Sequence, residues 1–212
     1  MMSTSSPGLT RFYAFFESWG RERLDGLDAS HFRGLTDSET EEAWNFLEKN
    51  LAVSLESTRG LYLINPLRAV EEFKKQVSMP IAESTYRDQR CAREENRTLM
   101  LHLILSHEPA RAYVEILNAF ASSEFADVRA RFADYLPVAE VSQRSLDLLK
   151  GMIFTETDSI AQSLAISKFM AVRGYNFKFR DEHYKALYRA LTSSDEEEKR
   201  AAIQQIENDR SI

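Results

Sequence analysis

The sequence predicts an all-α fold: stacked antiparallel helix hairpins, α-solenoid-like, with an N-terminal helical subdomain. Three observations predict it. Helix-start signals recur roughly every fifteen to thirty residues, and apolar residues at helical spacing follow each one. Almost nothing alternates as a strand does. Seven glycines and five prolines in 212 residues suit helices joined by short turns.

The elements follow in order. Residues 1–8 are polar and small and read as a disordered tail, without the basic and apolar regions of a signal peptide. Thr10 to Leu24 reads as a helix with Phe12, Phe15, Phe16 and Trp19 on one face, a stripe suited to core packing or, alternatively, to docking. Asp25 to Leu35, with Gly26 and Gly34, is a connection. Thr36-Asp37-Ser38-Glu39 is a capping box, and the helix after it runs to Leu51 with Ala43, Trp44, Leu47 and Leu51 on one side. Val53 to Ile64 fits either a short helix or an extended hairpin arm. Asn65-Pro66 pairs an N-cap residue with a proline whose missing N–H costs nothing there. It opens a helix to Val77 with Val70, Phe73 and Val77 inward and Arg68, Glu71, Glu72, Lys74 and Lys75 outward.

Ser78 to Arg97 is polar, with Ile81, Tyr86 and Cys91 as its few large apolar residues. The boundary is placed here, between a subdomain at 9–80 and a helical stack at 81–212 packed on it as one globular unit. Thr98 to Ser106 reads as a buried helix. Pro109 to Ala121 follows, with Tyr113, Ile116, Leu117 and Phe120 inward. Then come Glu124 to Leu136, Val141 to Ile153, Glu156 to Arg173 with Gly174 as C-cap, Asp181 to Leu191, and Asp195 to Asn208. Glu108-Pro109 and Leu136-Pro137 are read as repeats of the Asn-Pro device, and Thr155 with Asp158 and Ser193 with Glu196 as caps. Tyr175 to Phe179 alternates apolar and polar residues. It reads as an extended segment tucking its rings under the last hairpins, rather than as an exposed hook.

The helix from Asp127 to Leu136 resembles a HEAT-type repeat helix through Val128, Arg129, Ala133 and Leu136. Asp158-Ser159-Ile160-Ala161, with Ala165 and Phe169, is a looser copy that lacks the Arg. Lys199-Arg200-Ala201-Ala202 with Ile206 is a third, slipped by one residue. The resemblance covers about half the chain, residues 98–208. It implies a right-handed, curved stack of helix pairs in which each repeat packs on its neighbours.

Composition and motifs narrow the chemistry. The net charge of -6 weighs against a nucleic-acid binder and suits a basic protein partner. A lone cysteine, Cys91, allows no internal disulfide and no cysteine metal cluster. Arg90, Arg93 and Arg97 around it favour a thiolate, yet no base stands near in sequence. The histidines, His31, His102, His107 and His183, have no metal-ligand spacing, and His102 reads as a core histidine. No phosphate-binding loop, nucleophile elbow or dinucleotide motif occurs, so no cofactor, metal or catalytic set is assigned. No apolar run is long enough to span a membrane, and the chain reads as cytoplasmic.

Two charge features are the candidate partner-binding residues. Arg87, Arg90, Arg93 or Glu94, and Arg97 form one stripe if that segment is helical, and arginine forks suit carboxylates or phosphates. Asp195, Glu196, Glu197 and Glu198 sit at a helix N-terminus, where acids complement the dipole, and offer a surface for a basic partner. The expected function is a non-enzymatic protein-binding module: an immunity- or antitoxin-like inhibitor of a cognate toxin, or an adaptor. The alternative is an enzyme or nucleic-acid-binding protein on the same scaffold, since a family of alkylpurine DNA glycosylases looks like this in size and helical content. That reading needs a basic groove with aromatic residues, whereas Trp19 and Trp44 lie in the N-terminal part and the chain is acidic.

Overall fold

The computed structural model describes residues 6–18, 26–177 and 181–209. Among the described residues there are eleven α-helices, two short 3-10 turns and no strand. No helix among them is long and apolar enough to cross a membrane. By compactness the chain divides into two units, Met1–Met100 and Leu101–Ile212.

The N-terminal unit opens with α1 (Pro7–Glu17), a 3-10 turn (Ala29–Phe32), α2 (Asp37–Lys49), α3 (Leu55–Ile64) and α4 (Pro66–Ser78). The first helix starts inside the stretch expected to be a tail. Ser6 caps it, accepting the Leu9 N–H, and Pro7 takes the first position. Phe12 and Phe15 are buried as expected, whereas Trp19 lies outside the described residues. Gly26 and Gly34 turn the connection with φ of 78° and 81°, a conformation that glycine adopts without a Cβ clash.

The Thr36–Glu39 capping box forms as read. Glu39 also accepts the Ser6 N–H, so one carboxylate serves two helix starts. The Thr36 and Ser6 N–H bonds hold it down at about 2. The segment 53–64 resolves as helix, because Ser54 accepts the Ser57 N–H and leaves Leu61 facing the core. Asn65 and Pro66 open α4 in the expected way, with Val70, Phe73 and Val77 buried. α2 packs on α3 and α3 on α4, around Trp44, Leu47, Leu61 and Phe73.

Helix α5 (Arg87–His107) is one continuous element, not a polar segment followed by a short buried helix. The division between the units falls within it, at Met100 and Leu101. The C-terminal unit continues with α6 (Arg111–Asn118), a 3-10 turn (Ala119–Ser122), α7 (Ala126–Tyr135), α8 (Gln143–Thr155), α9 (Ser159–Val172), α10 (Glu182–Thr192) and α11 (Glu196–Asn208). α9 packs on α7, α8 and α10, and buries Ala161, Ala165, Ile166, Phe169 and Met170. Its two buried alanines, Ala161 and Ala165, let the neighbouring helices approach closely.

Several sequence expectations shift here. Pro109 and Pro137 precede their helices rather than opening them. α6 starts after Ala110 with no side-chain cap, and Ser142 caps α8. Asn65 opens α4 at Pro66 by accepting the Arg68 N–H, and neither Glu108 nor Leu136 caps a helix in that way. Asp158 and Asp195 are the N-caps of α9 and α11, in place of Thr155 and Ser193. Thr155 instead bonds back to the Gly151 carbonyl, and Ser193 accepts the Asp195 N–H. On α6, Val114 and Leu117 face inward, whereas Ile116 is exposed. Asn118 takes the inward place because its side chain accepts from Ser145 at 2.9 Å and donates to Glu115. Gly174 has the left-handed φ expected of it.

Long cationic side chains finish two helix ends in this unit. Lys168 donates to the Asp134 and Leu136 carbonyls at the end of α7, at 2.8 and 2.6 Å. The buried Lys199 donates to the Ile153 carbonyl in α8 at 2.8 Å. Both place positive charge at the negative end of a helix dipole.

Candidate functional site

The arginine stripe of α5 turns inward to its own chain. Residues 79–86 link α4 to α5, and their carbonyls would be left without partners by the bends of the linker. Arg97 Nη1 donates to the Met79 carbonyl at 2.8 Å, and Arg93 Nη1 to those of Ala82 and Glu83 at 2.7 and 2.8 Å. Arg90 reaches the Ser84 and Thr85 carbonyls at 3.4 Å, while Arg87 is exposed on the first turn. The spacing read from the sequence therefore places the four arginines on one helix, and three of them tie down the linker. Arg93 and Arg97, together with the apolar residues of that linker, border a cavity of about 300 Å³.

The acidic run stands where the sequence put it. Asp195 accepts the Glu197 N–H as N-cap, Glu196 pairs with Arg200 at 3.0 Å, and Glu197 and Glu198 are exposed. The cap and the dipole account for its place in the fold.

A third place was marked in the sequence only through the alternating segment that begins at Tyr175. In the C-terminal unit, α9, the Tyr175–Phe177 segment and α10 border a groove of about 520 Å³. Tyr184 and Tyr188, one turn apart on α10, stack with their rings 6.2 Å apart. Phe177 packs edge-on against Tyr184 at 5.5 Å and is still 67% exposed, so this ring is not tucked under as the alternating pattern suggested, and Phe179 lies outside the described residues. Tyr175 anchors the segment by donating to Asp209 at 2.5 Å. Burial, and then that bond, push its phenol up to about 12. Tyr188 shares a 2.5 Å hydrogen bond with Ser163 of α9. Lys185 and Arg189 add two cations to the border, with Lys185 paired to Glu182 at 2.8 Å. The signal that could have found this place is the i, i+4 tyrosine pair next to Lys185 and Arg189.

His102 stacks on Tyr135 with rings 4.2 Å apart and 22° from parallel. Burial pulls its pKa below the ordinary value of 6.5, with Asp134 opposing and Lys168 adding to the shift. An NMR titration of the imidazole is expected to give a midpoint below 6.5. A midpoint at or above that value would mean the ring is solvated in its charged form. Among the described residues, no group of three or more histidine, cysteine or acidic side chains is placed to hold a metal ion.

Compared with protein-family models, curated proteins and solved structures, the chain matches none.

Proposed function

We propose that this chain is a non-enzymatic protein-binding module, an adaptor or an immunity-type inhibitor of another protein. Its scaffold is a HEAT-like helical stack, and its docking surface is the groove between α9 and α10. The observation that supports this reading is the gathering of Tyr175, Phe177 and Tyr188 with Lys185 and Arg189 along one groove, over the buried Tyr184. Aromatic and arginine side chains dominate the energetics of protein interfaces, since they combine a large apolar area with a polar end. The occupant that fits is a protein segment with a bulky apolar side chain beside a carboxylate. The apolar group packs against the exposed ring of Phe177 and beside Tyr188, and the carboxylate meets Arg189.

The test compares the tagged wild-type protein, recovered from its native host, with a Phe177→Ala, Arg189→Glu double variant. A single stoichiometric protein is expected to accompany the wild type. Its measured affinity should fall tenfold or more in the variant, because losing one hot-spot contact removes about 1–2 kcal/mol or more. Both positions are exposed, so the two proteins should melt together. Equal affinity in the variant, or no protein recovered with the wild type, would remove the groove as the docking surface.

A further inference from the structure

We infer that the cavity beside the 79–86 linker in the N-terminal unit is a binding site for a small organic anion, an oxyanion head on a short apolar body. Arg93 and Arg97 supply its charge, and no carboxylate side chain borders it. In a chain of net charge -6, a cavity edged by two cations and no acid selects anions locally. Each of these arginines turns Nη1 to a linker carbonyl. Among the described residues, Nη2 and Nε of both make no hydrogen bond, and a guanidinium presents those donors in a fixed fork that matches carboxylate or phosphate oxygens.

Arg97 is half-buried, and burial lowers its pKa with no acidic partner to oppose the shift. A charge held this way gains from an incoming oxyanion, because the surroundings that raise its cost also strengthen the pair. The linker bonds hold the guanidinium planes in place before a ligand arrives, which limits the entropy lost on binding.

Apart from Gln76 and Asn96, the rest of the cavity is lined by apolar side chains. Val53 and Met79 are each about half exposed at its rim, and Pro80, Ile81 and Met100 add to the wall. A volume of about 300 Å³ is at the small end of the range for ligand sites and suits a compact molecule. Carboxylate and phosphate heads share the chemistry the fork reads, and the probes separate them.

Calorimetric titration with octanoate, octyl phosphate, inorganic phosphate and octanol tests the site on the full chain. Octanoate or octyl phosphate is expected to bind saturably, and whichever binds more tightly identifies the head group. Two variants carry the argument. Arg97→Gln removes the fork, and Val53→Glu places a carboxylate at the exposed rim without touching the linker bonds. Each should weaken binding about tenfold or more, as the loss of a charge-assisted bond does. Val53→Glu keeps the test decisive if Arg97→Gln disturbs the linker. The inference fails if neither amphiphilic anion binds saturably, if octanol binds as well as the anions, if inorganic phosphate binds as tightly as octyl phosphate, or if both variants bind like wild type.

Discussion

Replacing Asn96 by leucine is expected to destabilise the N-terminal unit by about 3–5 kcal/mol. Asn96 is wholly buried. Its carbonyl oxygen accepts from Thr58 Oγ1 of α3 at 2.6 Å, and its amide donates to the Leu51 carbonyl beyond the end of α2. One side chain on α5 thus satisfies a hydroxyl and a backbone carbonyl that water does not reach. Leucine is close in size but leaves both groups without a partner, and each orphaned group costs about 1–3 kcal/mol. Urea unfolding of wild type and variant measures the difference directly. Adding Thr58→Val to the leucine variant should recover part of the loss, because one of the two orphans is then gone. A loss below about 1 kcal/mol would show that water reaches the site.

Removing Arg129 should cost the C-terminal unit about 2–3 kcal/mol, read as Arg129→Met in the same unfolding experiment. Arg129 binds Glu156 through two parallel hydrogen bonds, 2.5 and 2.8 Å long, and also reaches the Ser123 carbonyl. Its partner is the more buried of the two, with the Glu156 side chain 3% exposed against 19% for Arg129. Glu156 in turn accepts the Thr157 and Asp158 N–H groups, so the pair fixes the turn between α8 and α9. Without Arg129 a carboxylate is left buried with only those two bonds.

The pair also sets an acid dependence. The Arg129 hydrogen bonds hold Glu156 below the ordinary carboxylate range, although burial opposes them. A carboxyl group whose pKa is lowered by folding binds fewer protons in the native state. Its contribution is complete above the unfolded pKa of roughly 4.3 and is lost as the pH falls through the native value. Glu156→Gln should therefore lower stability at pH 7 and flatten its decline below about pH 4. Unchanged acid curves would mean that the pair is screened by solvent.

Most of the helical grammar was legible in the chain. Thr36 with Glu39, Asn65 with Pro66, and Gly174 each end or start a helix through atoms within four residues, so local sequence carries the whole signal. Where two local signals competed, the sequence was less legible. Pro109 and Pro137 mark turns, but the cap that starts the next helix lies beyond them. Arg129 was singled out by a repeat-like pattern, and its partner lies 27 residues on, beyond what a helix pattern reports.

The candidate sites were legible in a different measure. The stripe at Arg87, Arg90, Arg93 and Arg97 followed from spacing alone, because α5 is helical throughout. That three of these arginines reach the 79–86 linker depends on where the chain returns after α4. The groove at Tyr184 and Tyr188 escaped notice for the same reason. Two tyrosines on an amphipathic helix look like core until Phe177 is seen exposed beside them.

Sequence alone determined the helical class, most helix positions and the faces that turn inward, because capping and amphipathic periodicity act within a few residues. Tertiary structure alone decided which polar groups meet: Asn96 with Thr58, Arg129 with Glu156, Lys199 with Ile153, and the arginines with the linker. Those contacts join residues far apart in sequence. Their energies depend on burial and direction, which exist only once the helices have packed.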